Sequence, residues 1–329
     1  MLKLDLEKMI KNLRNYIIGS SHFGAYLNFK EVEKILIKAS ELGIHSIDTS
    51  PIYGNKNAES FIGKIVKKNN LKFKYFSKVG LKGLKKKKFF YVKKTQLNSK
   101  NINKSVDESL INLKNDHLDI LQLHSYDYTT PLEETLLTIE KLIKSGKIKN
   151  YGICNYNLFE TNRLVKCVEK NSFIMPYSSQ VHYNLIERKA EKKMFPLLKK
   201  KKIKVFANRV FSMGILSGQY NYYNKFPKNS RASKSKRISK YVTKQTIEIS
   251  KILNLFASER GLKTIDLSIK WLEISNYLYQ SIIGINNISQ FNDMQKKINL
   301  KNSDFLELQD RLKVYNKSIV SKPNKFLIL

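Results

Sequence analysis

Eight short apolar segments alternate with helix-like segments along most of the chain, and this alternation constrains the fold more than any other feature. The helix-like segments carry apolar residues at helical spacing, as Val32, Ile35 and Ala39 do. Short apolar segments that alternate with helices are typical of buried parallel strands. The predicted strands are 16–20, 44–49, 72–78, 118–124, 148–154, 177–181, 203–207 and 279–284. Eight such units predict an α/β fold, a closed (β/α)8 TIM barrel, as a single domain over residues 1–329.

An open, doubly wound sheet is the alternative fold. It would be expected to carry a G-x-G-x-x-G turn after an early strand. The most similar segment, residues 80–83, lacks the third glycine. A nicotinamide cofactor, if used, is therefore not expected to bind in the manner of that fold.

Composition excludes several classes of protein. The hydrophobic content of 42% is enough for a sizeable core, and no segment approaches the roughly 18 apolar residues that a membrane span needs. The first residues lack the apolar core and cleavage site of a secretory signal. Cys154 and Cys167 are expected to be reduced thiols, which indicates a cytoplasmic protein. No zinc-ligand spacing is present, and no metal site is expected.

The net charge of +34, which results from 61 Lys and Arg and 27 Asp and Glu, raises the hypothesis that the protein binds nucleic acid. The lysines are interpreted as lying mostly on helices and turns, as in 85–88 and 199–202, where a solvated surface is the simpler interpretation. No RNA-binding signature or aromatic stacking motif accompanies the charge. Nucleic-acid binding is therefore not expected.

Four polar residues follow or close strands of the predicted barrel: Asp48, Tyr53, Lys78 and His124. Taken singly, each has a structural role available to it, such as a turn, a helix cap or a solvated lysine. Taken together at the carboxyl ends of strands, they are typical of catalytic residues in a (β/α)8 barrel. The sequence therefore predicts that they share one site.

The chemistry of these four residues suits proton donation to a carbonyl group. Tyr53 would be the acid, and Lys78 held by Asp48 would lower the pKa of its phenol. His124 would hydrogen-bond the carbonyl oxygen. Gly54 would allow a sharp turn directly after the acid.

The chain resembles the aldo-keto reductase family over nearly its whole length. Asp48, Tyr53, Lys78 and His124 all lie within the similar segments. These segments are 43–54, 58–63, 77–80, 119–124, 142–155 and the residues Gln180, Tyr183 and Asn184. The resemblance implies a barrel that binds NADPH, or alternatively NADH, in an extended pose across its carboxyl face.

The resemblance also implies residues that hold the nicotinamide. Asn155 and Gln180 would bind its carboxamide, and Cys154 stands where the family has serine. Farther along, Asn208 stands where an aromatic ring often stacks on the nicotinamide. The further cofactor contacts implied in residues 207–218 are Phe211, Gly214 and Leu216.

Residues 284–293 resemble the segment that grips the adenosine phosphate. The contacts implied there are Gly284, Asn286, Gln290 and Asp293. Gln290 stands where strict NADPH binders often have arginine, which weakens the case for NADPH over NADH. Arg231, or a lysine of the loop 219–240, is the expected replacement for that cation.

The sequence thus predicts an NAD(P)H-dependent reductase of an aldehyde or ketone, with a small-molecule carbonyl, sugar-like or otherwise, as its partner. Substrate specificity is expected to depend on loops at the barrel mouth, with Phe23 and Tyr126 as substrate-binding residues. The alternative is a nucleotide-binding barrel that acts as a non-catalytic regulatory or scaffolding subunit. The oligomeric state is not indicated by the sequence.

Overall fold

A computed structural model describes residues 13–86, 89–222, 225–228, 230–234 and 236–313. The strands are β1 Tyr16–Gly19, β2 Ser46–Asp48, β3 Lys74–Val79, β4 Leu81–Lys86, β5 Phe89–Thr95, β6 Leu118–Leu123, β7 Ile148–Cys154, β8 Ser178–His182, β9 Lys204–Asn208 and β10 Gln280–Ile283. The helices are α1 Phe29–Glu41, α2 Ala58–Lys68, α3 Ser99–Leu113, α4 Leu132–Lys144, α5 Leu158–Asn171, α6 Ala190–Lys200, α7 Arg231–Lys234, α8 Lys236–Ser239, α9 Lys244–Ser258, α10 Thr264–Ile274, α11 Gln290–Met294 and α12 Asn302–Arg311. Two 3-10 helices span Tyr53–Lys56 and Ser212–Ser217.

Eight of the strands form a closed parallel barrel in the order β1, β2, β3, β6, β7, β8, β9 and β10. The ring closes where β1 pairs with β10, with Ile17 opposite Ile282. The predicted (β/α)8 barrel is confirmed, and the predicted strand limits differ from the observed ones by at most two residues. All strands of a parallel barrel end at the same face, so their terminal residues surround one mouth.

The interior of the barrel is filled by large apolar side chains below that mouth. They form a cluster separate from the larger core between strands and helices, and its members are Ile17, Phe76, Ile120, Phe206 and Ile282. The rings of Phe76 and Phe206 stack with centroids 5.7 Å apart. Because side chains alternate along a strand, the inward residues two positions further on lie in the layer nearer the mouth.

A β-hairpin between β3 and α3 is not predicted by the sequence. Strands β4 and β5 pair antiparallel, with Lys85 opposite Phe90. The interpretation of Lys85 and Lys86 as part of a solvated turn is wrong because they end β4, whereas residues 87 and 88 lie outside the described residues. A run of lysines has low strand propensity, so the hairpin depends on pairing that the local sequence does not indicate.

Neither a membrane span nor a cluster of metal ligands occurs in the described part of the chain. None of the helices formed by the described residues combines the length and apolar composition needed to cross a bilayer. The described residues contain no group of three or more His, Cys, Asp or Glu side chains placed to hold a metal ion. Both cysteines are free thiols.

Candidate active site

The structure brings the four predicted catalytic residues together at the barrel mouth. Asp48 is the last residue of β2, Lys78 lies near the end of β3, and His124 follows β6. The Lys78 side chain is fully buried, and its ammonium donates to the Asp48 carboxylate and, over 3.0 Å, to the carbonyl oxygen of Thr49. A buried ammonium must be paired to remain charged, and here a carboxylate and a carbonyl group hold it in one position.

Tyr53 completes the group from the turn that follows β2. The Lys78 Nζ atom lies 5.0 Å from the centroid of the Tyr53 ring. The Tyr53 and His124 rings meet edge to face, with centroids 6.0 Å apart. The sharp turn predicted at Gly54 is confirmed, since Gly54 has φ +57° and a Cβ atom there would lie 1.6 Å from the carbonyl oxygen of Phe23.

Burial and the ion pair together set the charges of Lys78 and Asp48. Burial lowers the pKa of Lys78, but the adjacent Asp48 and Tyr53 outweigh it, so the pKa of Lys78 is raised and the ammonium stays charged. Burial raises the pKa of Asp48 above its ordinary value, and the charge of Lys78 opposes that rise. The site therefore keeps a fixed cation beside Tyr53.

The pKa of Tyr53 does not shift in the direction expected from the sequence. The residue is half-buried, yet desolvation raises the pKa of its phenol above 10, and this outweighs the lowering by Lys78. Burial, and then the charge of Lys78, lower the pKa of His124 well below 6.5. At neutral pH both Tyr53 and His124 are therefore uncharged, and both can donate a hydrogen bond to a carbonyl oxygen.

Three amide side chains on adjacent strands indicate where a nicotinamide would fit. Within the part of the chain that the structure describes, the buried oxygens Asn155 Oδ1, Gln180 Oε1 and Asn208 Oδ1 accept no hydrogen bond. Asn155 follows β7, Gln180 lies in β8, and Asn208 ends β9. Buried acceptors without a donor are costly in free energy and are therefore uncommon. The NH2 group of a nicotinamide carboxamide is a donor of the required kind, so these residues fit the cofactor.

Cys154 lies beside these amides and orients one of them. Its thiol is 1% exposed, and burial raises its pKa to about 12, so it is neutral. Asn155 Nδ2 donates to Cys154 Sγ over 3.2 Å and to the carbonyl oxygen of His124 over 3.1 Å. These two acceptors use the NH2 group of Asn155 and leave its oxygen for a ligand.

The segment after β9 folds as a 3-10 helix with an unusual backbone. Met213 and Gly214 have φ of +56° and +100°, and a Cβ atom at Gly214 would lie 1.9 Å from Gln219 Nε2. The Leu216 side chain is fully buried in the core, and Phe211 packs against the core from a half-buried position. Contact of Leu216 with a nucleotide would therefore involve its backbone, whereas Phe211 and Gly214 lie nearer the surface.

Gln290 closes the turn that follows β10. Its Oε1 atom accepts from the backbone N–H groups of Asn286, over 2.7 Å, and Asn287, over 3.4 Å. Asn286 also contacts His22, with 2.7 Å between Oδ1 and Nδ1, and Asp293 forms an ion pair of 3.0 Å with Lys296. Gln290 thus stabilises the loop that begins at Gly284; the side chain of Arg231, the expected replacement cation, lies outside the described residues.

Comparison with known proteins agrees with the barrel fold. The sequence profile described as "Aldo/keto reductase family" matches residues 16–311. The chain belongs to the aldo/keto reductase family.

Two relatives and one solved structure, each less than 30% identical in sequence, are compared with this aldo/keto reductase. The chain is 26% identical over 265 residues to the aldo-keto reductase YhdN of Bacillus subtilis. That alignment covers 79% of this chain and 76% of that protein. The chain is 27% identical over 289 residues to a putative voltage-gated potassium channel subunit beta of Schizosaccharomyces pombe. That alignment covers 82% of this chain and 79% of that protein. The solved structure of a glycerol dehydrogenase from Gluconobacter oxydans has a TM-score of 0.76 at 22% identity, covering 91% of each chain, and shows the shared fold.

The two residues predicted to bind substrate occupy different environments in this aldo/keto reductase. Phe23 is fully buried in the main core, beneath the turn that carries Tyr53. Tyr126 is 5% exposed and packs at 4.7 Å against the ring of Tyr128, which is 67% exposed. Of these three aromatic residues, only Tyr128 has a ring that faces solvent. Phe23 instead packs in the core against the turn at Gly54.

Sequence reasoning missed two residues at the mouth of this reductase barrel, His182 and Arg209. His182 ends β8 and is half-buried; it follows Ser178 and Gln180 at the period of two that marks one face of a strand, a signal that could have identified it. Arg209 follows Asn208 with φ +53°. No pattern in the sequence indicates that conformation for an arginine.

Proposed function

We propose that this aldo/keto reductase is an NAD(P)H-dependent reductase of an aldehyde or ketone, with Tyr53 as the proton donor. The observation that carries this proposal is the packing of the buried Lys78–Asp48 pair beside the Tyr53 ring, which also contacts the neutral His124 ring edge to face. A fixed cation next to an uncharged phenol suits a reaction in which the phenol gives up its proton.

The cofactor is proposed to lie across the carboxyl ends of β7 to β9. Asn155 and Gln180 would accept from its carboxamide through their free buried oxygens, and Cys154 would keep Asn155 in the required orientation. When bound, the reduced nicotinamide supplies a hydride to the carbonyl carbon of the substrate.

The Tyr53 hydroxyl group keeps its proton until it transfers that proton to the substrate. Because burial raises the pKa of Tyr53, the hydroxyl group is protonated at neutral pH. Transfer of its proton to the carbonyl oxygen leaves a phenolate, which the Lys78 ammonium stabilises across a short distance. Asp48 fixes Lys78 in place and keeps it charged.

His124 positions the substrate for that transfer. A neutral imidazole can donate one N–H to the carbonyl oxygen, and the His124 ring lies in edge-to-face contact with the ring of Tyr53. Two donors aimed at one oxygen stabilise the negative charge that develops on it.

Tyr53→Phe tests the assignment of the acid. We expect kcat for carbonyl reduction to fall roughly 10²- to 10⁴-fold, the range for loss of a general acid, while the dissociation constant of the nucleotide stays close to that of the unmodified protein. Tyr277→Phe is the control, since Tyr277 is 43% exposed and precedes β10 at the far end of the barrel. Unchanged turnover in Tyr53→Phe would refute the role of Tyr53.

NADPH is the proposed cofactor, and NADH is the alternative. A parallel titration of the protein with both, followed by protein fluorescence, measures the preference. Micromolar binding of either nucleotide would support the proposal. If neither nucleotide bound, the reductase proposal would be contradicted, because Asn155 and Gln180 would then have no carboxamide to hold.

A non-catalytic nucleotide-binding subunit is the second candidate. The similarity to a protein named as a putative voltage-gated potassium channel subunit beta is the observation that favours it. The four assembled catalytic residues favour the reductase. Nucleotide binding without turnover of any aldehyde or ketone in a broad panel would reverse that order.

A further inference from the structure

Lys204 lies between two tyrosine rings at the end of the barrel opposite the mouth. Tyr177 and Tyr279 directly precede β8 and β10, and Lys204 is the first residue of β9. The Lys204 Nζ atom lies 4.2 Å from the centroid of the Tyr177 ring and 4.0 Å from that of the Tyr279 ring. Because parallel strands begin at one face of a barrel and end at the other, this tyrosine–lysine cluster is separate from the proposed reaction.

The hydrogen bonds of the tyrosine–lysine cluster run toward the Tyr279 oxygen. Lys204 Nζ donates to the Tyr177 oxygen over 2.7 Å, and the Tyr177 hydroxyl donates to the Tyr279 oxygen over 3.5 Å. Lys204 forms no ion pair with a carboxylate in the part of the chain that the structure describes. A donor and an unpaired cation beside a phenol favour its ionised form.

Tyr279 is both accessible and held in one orientation. It is 45% exposed, whereas Tyr177 is half-buried and packs against the apolar cluster inside the barrel. The Tyr279 ring stacks on the ring of Phe206, with centroids 5.9 Å apart and 14° between the planes. Of the two tyrosines, Tyr279 is therefore the one that a reagent in solution reaches more easily.

The electrostatics of the cluster agree with this geometry. Hydrogen bonds from Tyr177, and then from Lys204, lower the pKa of Tyr279 below its ordinary value. Burial, above all, raises the pKa of Tyr177. Burial lowers the pKa of Lys204, but hydrogen bonds to the two tyrosines outweigh it, so the ammonium stays charged. Ionisation of the cluster therefore places a negative charge on Tyr279.

Two other exposed tyrosines lack this arrangement. Tyr128 is 67% exposed, but its hydroxyl donates to the carboxylate of Glu160, which raises the pKa of Tyr128 to about 12. Tyr277 is 43% exposed, and no donor among the described residues hydrogen-bonds its hydroxyl. Exposure alone would make Tyr128 the most reactive of the three, whereas the neighbouring charges favour Tyr279.

We propose that Tyr279 is a modification site, a nucleophilic phenol that accepts an acyl group from an activated acyl donor. This inference is independent of the reductase function proposed above. The Tyr279 oxygen forms a bond to the acyl carbon, and the bond between that carbon and the leaving group breaks. The leaving group takes up a proton in place of the one that Tyr279 has lost, and Lys204 stabilises the phenolate that attacks.

Limiting N-acetylimidazole at neutral pH tests the inference in the full chain. Acetylation of each tyrosine is followed by peptide mass spectrometry with fragmentation, and hydroxylamine then removes acetyl groups from phenol oxygens but not from lysine nitrogens. One hydrogen bond to a charged group favours the phenolate about 10- to 150-fold. A weaker base is also a weaker nucleophile, which offsets about half of that gain on a logarithmic scale, so Tyr279 should react roughly 3- to 12-fold faster than Tyr277. Tyr128 should be the slowest of the three.

Two substitutions separate the effect of the cluster from that of accessibility. Lys204→Met keeps an apolar side chain between the rings but removes the charge, so the rate at Tyr279 should fall to that at Tyr277. Tyr177→Phe removes the donor to the Tyr279 oxygen and should lower the rate as well. Lys200→Met, at an exposed position of α6, is the matched control and should keep the rate at Tyr279.

The comparison within the unmodified protein does not depend on the folding of any variant. Rates at Tyr279 and Tyr277 within about twofold of each other would overturn the proposal, because the hydrogen bond to the phenolate would then have no effect. Fastest acetylation at Tyr128 would also overturn it, since exposure would then decide the reaction. An unchanged rate at Tyr279 in Lys204→Met, with the rate at Tyr277 also unchanged, would refute the role of the lysine.

Discussion

Lys78→Met is the substitution whose effect the structure defines most closely. The Lys78 Nζ atom lies 5.0 Å from the centroid of the Tyr53 ring, on which negative charge develops as the proton leaves. A unit charge at that distance, in surroundings with an effective dielectric constant of about 20, contributes about 3 kcal/mol. Loss of that stabilisation lowers the rate of the chemical step by roughly 200-fold.

The same substitution leaves a buried carboxylate without its partner. The side chains of Lys78 and Asp48 are 0% and 5% exposed, and removing one member of such a pair typically costs about 3–5 kcal/mol of folding free energy. Asp48→Asn in addition removes the uncompensated charge. The double variant should therefore regain much of the stability while its rate remains low, because Tyr53 still has no cation beside it.

The assay is single-turnover reduction of a carbonyl substrate by pre-bound nucleotide, together with urea denaturation of each variant. Lys200→Met, at an exposed position of α6, is the control for loss of a lysine. If Lys78→Met reduced substrate within about fivefold of the unmodified rate, the electrostatic role calculated from the distance would be refuted. A double variant that is no more stable than the single one would refute the account of the buried pair.

Two further predictions concern the supports of the site. Gly54→Ala places a Cβ atom 1.6 Å from the carbonyl oxygen of Phe23, so it should displace Tyr53 and lower both kcat and stability; Gly146→Ala is the matched control, because Gly146 also has a positive φ but no atom within 4 Å of the added Cβ. Equal melting temperatures for the two alanine variants would contradict the steric argument. Burial raises the pKa of Glu59 from 4.5 to about 6, so the folded state binds the proton more tightly and stability should fall by about 2 kcal/mol as pH rises through that interval. Urea titrations between pH 4.5 and about 6 should show this fall in the free energy of unfolding of the unmodified protein, and a smaller fall in Glu59→Gln. The same pH dependence of stability in both proteins would contradict the prediction.

Much of the barrel and its catalytic group could be predicted because their signals are local. Each barrel strand is a short apolar segment, and parallel strands in a closed barrel must end at one face. Asp48, Lys78 and His124 are therefore expected at one mouth, where the structure places them. The turn at Gly54 could also be predicted from the sequence, since glycine is favoured where the backbone takes a positive φ.

Other features depend on contacts between segments that are distant in sequence. The hairpin of β4 and β5 exists because the lysine-rich segment of β4, which has no clear strand pattern of its own, pairs with β5. The inward position of Phe23 follows from its packing into the core beneath Gly54. Such preferences are decided by tertiary neighbours rather than by local propensity.

The sequence by itself determined the order of strands and helices and which polar residues stand at the ends of strands, because these follow from apolar periodicity and chain direction. Only the tertiary structure decided the charges within the mouth. Whether the pKa of Tyr53 rises or falls depends on the balance between burial and Lys78, and the place of Arg209 depends on a backbone turn held by Asn184. Desolvation and charge–charge energies vary with distance and enclosure in three dimensions, and one-dimensional spacing contains neither.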